Sequence, residues 1–166
     1  MMRIIAATIL AVFFVSPARA DGCDKFAWSL ARERTLLAAT GKPVLKAGDT
    51  LATVPAAAFT LRLQPGAEAA FVMPPERKPK GEQWHGGIIK FPGMPKAGIY
   101  QITLSDDAWV DVLQNDRYAR SVGSTGRSDC PGLRKSLRID LGTWPFVLQI
   151  SGVSADSIAV TIGARD

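Results

Sequence analysis

The sequence predicts a mainly β protein: an antiparallel two-sheet β-sandwich of jelly-roll or Greek-key type with one N-terminal α-helix, following a cleaved signal peptide. Three observations lead there. Short apolar-alternating runs recur roughly every ten residues, each ended by a turn, the spacing of a sandwich or barrel. The runs are densest between Gly98 and Gly163, where Tyr100, Ile102 and Leu104 share one side of a run and Gln101 and Thr103 the other, as the two-residue period of a strand requires. Ile158, Val160 and Ile162 repeat that pattern near the far end. Only one stretch, close to the N-terminus, reads convincingly as a helix.

Residues 1–20 combine Arg3, an apolar stretch from Ile4 to Val15, and Ala18-Arg19-Ala20 as a small-residue cleavage site, which is the pattern of a secretory signal peptide. The apolar stretch is shorter than the ~20 residues of a membrane span, and no cysteine sits at the cut, since Asp21 follows Ala20. The expected product is periplasmic or secreted, without stable membrane insertion after cleavage. Residues 21–166 then form one expected β-sandwich domain. The chain carries 20 Lys and Arg against 15 Asp and Glu, and two of those cations, Arg3 and Arg19, fall in the expected signal peptide, leaving about +3. Such a mild excess argues against nucleic acid as a partner.

The helix is expected over about residues 24–39, with Asp24 as its cap, Phe26, Leu30 and Leu37 near one side, and Arg32, Glu33 and Arg34 on the wet face. Thr40-Gly41 and Pro43 stop it. Val44-Leu45 and Phe59, Leu61 and Leu63 then suggest two strands joined across Ala47-Gly48-Asp49, and AEAAFVM a further short run after Pro65-Gly66. The segment from Pro74 to Gly87 has no periodicity and much Pro, Gly and charge, so it is expected as an exposed loop. Strands resume at Ile88–Phe91, at Tyr100–Leu104 and at Trp109, Val110 and Val112, and Asn115-Asp116 turns the chain back tightly into Arg117–Val122. A second long loop is expected from Gly123 to Gly132. Leu137, Ile139 and Leu141, then Phe146, Leu148 and Ile150, supply further inward positions.

Cys23 and Cys130 are the only cysteines, and an even count in an exported chain reads as one disulfide, with free thiols or a metal pair as the weaker alternatives. Asp106-Asp107 with Asp111 reads as a turn followed by an outward strand residue. No nucleophile elbow, phosphate loop or metal-ligand cluster is present, so no catalytic residue, metal or cofactor is assigned.

Candidate binding residues are aromatic and cationic. Trp84 and His85 lie in the Pro-rich loop beside Arg77, Lys78 and Lys80; Trp84 either offers a stacking platform there or folds onto the sandwich edge. Trp109 and Trp144 are alternative platforms. The segment from Arg117 to Arg138 carries Arg117, Arg120, Arg127, Arg134, Lys135 and Arg138 against Asp129. Of these, Arg120, Arg134 and Arg138 are the main candidates for meeting an acidic partner, unless the charges simply splay into solvent.

The run AGIYQITLSDDAWVDVLQ, the later LRIDLGTWPFVLQISG and the final SIAVTI resemble the bacterial pre-peptidase C-terminal domain and related carbohydrate-binding-like sandwiches, over about Ala97 to Ile162. That likeness implies a β-sandwich. With CDKFAWSLARER and SDCPGLRKS, the whole chain also resembles a small family of secreted, uncharacterised bacterial proteins, some of them labelled homogentisate 1,2-dioxygenase. Ring-cleaving iron dioxygenases bind Fe(II) through two His and one carboxylate, and His85 is the one histidine of the chain, so one subunit lacks that ligand set. The expected function is that of a non-catalytic binding or envelope-interaction protein with a glycan or an acidic envelope component as partner, and the dioxygenase is the alternative.

Overall fold

A computed structural model describes residues 22–165; the expected signal peptide, residues 1–20, lies outside the described residues. The chain begins with a short 3-10 turn over Gly22–Lys25 and helix α1, Ala31–Ala38. Eleven strands follow: β1 (Val44–Lys46), β2 (Phe59–Arg62), β3 (Gln64–Pro65), β4 (His85–Phe91), β5 (Gly98–Leu104), β6 (Trp109–Gln114), β7 (Arg117–Tyr118), β8 (Ser121–Gly126), β9 (Lys135–Leu141), β10 (Phe146–Val153) and β11 (Ser157–Arg165). They form a six-stranded sheet in the order β1-β2-β11-β5-β9-β8, called sheet A below, and a five-stranded sheet, sheet B, in the order β3-β4-β10-β6-β7.

The expected sandwich is present, and its wrapping is that of a jelly roll. Four antiparallel pairs nest inside one another along the chain: β2 with β11, β4 with β10, β5 with β9, and β6 with β7. They alternate between the two sheets, as a long hairpin does when it is rolled into a two-sheet barrel. The innermost turn is Asn115-Asp116, where both residues take positive φ, 54° and 57°. This is the two-residue hairpin geometry whose twist matches the strands, and Asn and Asp tolerate it.

Alternation along each strand decides what fills the space between the sheets. Phe59 and Leu61, Ile102 and Leu104, Leu137, Ile139 and Leu141, Leu148 and Ile150, and Ile158, Val160 and Ile162 all join one core. Phe146 stacks on Phe91 with ring centroids 4.8 Å apart. Burying each such side chain contributes about 1.5–3 kcal/mol, so this layer dominates stability.

Several local expectations fail for identifiable reasons. The helix starts at Ala31 rather than Asp24, with Leu30 at its N-cap and no side-chain cap. The preceding segment is held by other partners: Gly22 N–H donates to the Asp129 carbonyl at 3.0 Å, Ala27 N–H to Thr125 Oγ1 at 3.1 Å, and Cys23 is bonded to Cys130. Glu33 is buried rather than on the wet face. At the other end Lys42 Nζ donates to the carbonyls of Leu37 and Ala39, a cationic cap on groups the helix leaves unpaired.

β1 runs parallel to β2, Val44 opposite Thr60, so the two are not a hairpin across Gly48. AEAAFVM is not a strand: Glu68 and Ala69 N–H close a turn on the Pro65 carbonyl, Phe71 N–H donates to the Ala69 carbonyl, and Val72 and Met73 bond to the Gln149 side chain. The expected loop from Gly123 opens with strand: β8 reaches Gly126, pairing with β9. Its Ser, Gly and Thr content hides it from apolar alternation. The expected exposed loop ends earlier than Gly87, since His85, Gly86 and Gly87 belong to β4.

Cys23 and Cys130 are joined with Cα atoms 4.7 Å apart, inside the about 7 Å that a bridge requires. The bond sits in a second small core on the outside of sheet A, built from Phe26, Leu30, Leu37, Ala58, Cys130 and Leu133. It closes a separation of 107 residues, which the chain-entropy model values at about 4–5 kcal/mol. Replacing both cysteines by serine is expected to lower unfolding free energy by about 2–5 kcal/mol in denaturant titrations. A double variant as stable as the parent would show that the small core alone holds the N-terminal segment.

Candidate functional site

The outer face of sheet B carries the polar positions that alternation turns away from the core. On β6 these are Trp109 and Asp111, and on β10 Gln149 and Ser151; register pairs Gln149 with Asp111 and Ser151 with Trp109. Gln149 and Asp111 are nonetheless buried, because the chain between β3 and β4 lies across them. Gln149 Oε1 accepts from Val72 N–H at 2.7 Å and Met73 N–H at 3.2 Å, and Gln149 Nε2 donates to the Met73 carbonyl at 3.0 Å. Asp111 Oδ2 accepts from Glu76 N–H at 3.3 Å, and the Tyr118 hydroxyl donates to the Pro74 carbonyl. The segment expected as a free loop is therefore a strap fastened to the sheet.

The strap delivers Arg77, Lys78, Pro79 and Lys80 to one side of Trp109. Together with Asp107, Ala108, Lys135, Ser151 and Gly152 they line a cleft of about 140 Å³. The indole is fixed from below, its Nε1–H donating to Asp111 Oδ1 at 2.7 Å. Two cations lie against its ring: the Arg77 guanidinium carbon at 5.6 Å and Lys135 Nζ at 5.1 Å from the centroid, both within the reach of a cation–π contact. Lys135 Nζ also donates to the Ala108 carbonyl at 2.5 Å. Burial holds its pKa below the usual 10.5 and the Arg77 charge lowers it further, while Asp107 and Asp111 pull the other way. At the floor, Ser151 is 2% exposed, and its hydroxyl has no hydrogen-bond partner.

The other sequence candidates are dispersed. Trp84 is half-buried and no free platform: it stacks on Phe71 with centroids 6.1 Å apart and covers Gly66, where a Cβ would come within 2.4 Å of the indole. His85 sits in β4 opposite Pro65 and Val153, outside the cleft. Arg138 lies on the outer face of sheet A, its guanidinium carbon 4.1 Å from the Trp28 ring centroid, with Nε donating to Gln101 Oε1 at 3.4 Å. Arg134 donates to the Ser128 carbonyl beside a neighbouring depression that shares Asp107 with the cleft. Arg127 is paired with Asp129 at 2.7 Å. Arg120 is exposed, just before β8. Trp144, 62% exposed, stands at the turn before β10, where its carbonyl accepts from Gln114 at the far end of β6 from Trp109. The cationic segment is therefore not one patch.

Sequence reasoning found Trp109, and it found Arg77, Lys78 and Lys80, but assigned those cations to Trp84. It missed Ser151 and the place of Lys135 in the cleft. Alternation marks Trp109 and Ser151 as outward-facing; that β6 and β10 lie side by side in the register that makes them neighbours is a long-range fact. Comparison with known proteins returns no match, whether to family models, to curated proteins or to solved structures. The site stands on its own geometry.

Asp111 fastens both the floor and one wall of the cleft. Burial raises its pKa above 3.8, with Glu76 adding to the rise, while hydrogen bonds from Trp109 and the Glu76 N–H and the charge of Lys135 oppose it. The folded protein thus holds this proton more tightly than the unfolded chain, so the contribution of Asp111 to stability falls as pH rises from 3.8 through the folded value. The difference in unfolding free energy between the parent and Asp111→Asn is expected to shrink over that window. A difference that is flat, or that grows with pH, would contradict the assignment.

Proposed function

We propose that the chain is an exported binding protein of the cell envelope and that the cleft over Trp109 holds an acidic glycan. The observation behind this reading is the gathering of Arg77, Lys78, Lys80 and Lys135 around one indole, with Asp107 as the acidic side chain in the lining. The expected net charge of the exported part is only about +3, so this is a local concentration rather than a general one. Like charges held together repel, and a bound anion removes that repulsion while gaining from a partly desolvated site.

Binding is favoured over catalysis because the one hydroxyl in the lining, that of Ser151, has no hydrogen-bonded base, and a serine nucleophile needs one. An envelope location is supported by the signal-peptide pattern of residues 1–20 and by the Cys23–Cys130 bond, which suits an oxidising compartment. No helix of the described residues is long and apolar enough to cross a membrane.

Polygalacturonate and neutral dextran provide a matched pair of probes. Polygalacturonate should bind, more weakly as salt rises, and dextran should not. Changing Arg77, Lys78 and Lys80 together to Gln should weaken binding by about tenfold, taking exposed charge contacts at under 1 kcal/mol each. The companion variant with Arg120, Arg134 and Arg138 changed to Gln should bind as the parent does. Loss in the second variant and retention in the first would move the interface away from the cleft.

A further inference from the structure

We infer that the Ser151 hydroxyl is the donor that seats a single oxyanion of the ligand at the floor of the cleft, so that a carboxylate or phosphate group enters end-on while the rest of the glycan stays outside. This inference rests on the reading of the cleft as an acidic-glycan site and names the group that enters it.

Ser151 faces outward from β10, directly opposite Trp109 on β6. A buried hydroxyl ordinarily finds an acceptor or donor within the protein, since leaving it unpaired is costly. Here two neighbouring groups offer no partner. The indole N–H is spent on Asp111, and Pro79, which approaches the next residue, Gly152, has no N–H to offer. Gly152 has φ of +76°, turning the backbone at the position that follows Ser151. Ser151 lines the cleft and is almost wholly buried, and its hydroxyl is left without a partner.

Its complement is specified by charge and by size. A neutral hydroxyl of a sugar would satisfy Ser151 alone, but it would bring no countercharge to Arg77 and Lys135, which line the same cleft. An oxyanion satisfies both, one oxygen accepting from Ser151 in the shorter and stronger class of hydrogen bond and the charge facing the cations that share the lining. A cleft of about 140 Å³ is well below the roughly 300–1,000 Å³ of sites that engulf a whole small ligand. It suits a substituent rather than a sugar residue. Uronate carboxylates and phosphate substituents share this chemistry, and both fit the argument.

The test is Ser151→Ala, which removes the donor and keeps the Cβ. Polygalacturonate affinity should fall by about tenfold to a hundredfold, the range for a hydrogen bond to a charged group. The thermal midpoint should stay the same or rise, because the hydroxyl that is lost has no partner in the protein. Ser151→Cys, close in size and a weaker donor, should bind between the two. Amide resonances of Ser151 and Gly152, followed during titration with methyl galacturonide and separately with inorganic phosphate, distinguish the two sources. Movement with either probe supports the inference and identifies the anion. If the parent binds polygalacturonate and Ser151→Ala binds it equally, the inference is overturned while the cation-lined cleft remains. If the parent binds no acidic polymer, or the Arg77, Lys78 and Lys80 variant binds as well as the parent, the underlying reading fails first. A lowered midpoint with unchanged affinity would make Ser151 a structural residue only.

Discussion

The fastening of the strap by Gln149 is the interaction on which the surface chemistry of this protein depends. A glutamine in the middle of a sheet, facing outward, would ordinarily be wetted. Gln149 instead presents both ends of its amide to the backbone of Val72 and Met73, doing for that segment what a neighbouring strand would have done. Unpaired backbone groups are costly when buried; Val72 and Met73 avoid that cost through Gln149, and Glu68, Ala69 and Phe71 through local turn bonds to the Pro65 and Ala69 carbonyls, without joining the sheet. Asp111 repeats the device for Glu76. Between them they turn a stretch rich in Pro, Gly and charge into a fixed wall, and everything the wall carries, Arg77 to Lys80 above all, is placed relative to Trp109 by those few bonds.

A sandwich buries its inner faces by alternation, and this one covers much of its outer faces by adding chain. Sheet B receives the strap. Sheet A receives the N-terminal segment, tied by the disulfide and packed through Phe26, Leu30 and Leu37. That is why Gln101, Thr103, Ser136 and Thr161, all on outward positions of sheet A, are nearly inaccessible. Thr103 and Ser136 answer their burial by bonding to each other at 2.8 Å, a cross-strand pair of the kind that stabilises a sheet. The sequence rule that outward means wet fails on both faces, and for one reason: the cover comes from segments whose own periodicity does not announce where they dock.

This also explains which parts of the molecule were legible beforehand. The core was readable because burial between two sheets imposes a strict period of two, and Tyr100–Leu104, Leu137–Leu141 and Ile158–Ile162 obey it. The Asn115-Asp116 turn was readable because few residues accept positive φ. The disulfide followed from the even cysteine count and from the compartment that the signal-peptide pattern leads one to expect. The strap was not readable, since Gln149 and Val72 are 77 positions apart and nothing local distinguishes a glutamine that binds water from one that binds backbone. The helix start was misplaced because Asp24 looks like a cap, while the bonds that hold Gly22, Cys23 and Ala27 to distant residues postpone the first helical turn. For the cleft, its cations and its tryptophan were visible as separate features, and the error was to join the cations to the tryptophan nearest in sequence.

That error bears on what Trp109 does. An exposed indole in a binding protein is usually read as a surface on which a sugar or base stacks. Trp109 has its N–H spent on Asp111, and Arg77 and Lys135 lie within cation–π distance of its ring. Its negative π face helps to hold two positive groups close to one another in a partly buried place where water would otherwise be needed to keep them apart. The indole therefore organises charge and does not present a free flat surface. Under the proposed reading, recognition in such a cleft turns on anion charge and on one deep hydrogen bond, so that the acidic substituent of the ligand, and not the apolar face of its ring, is the part that is read.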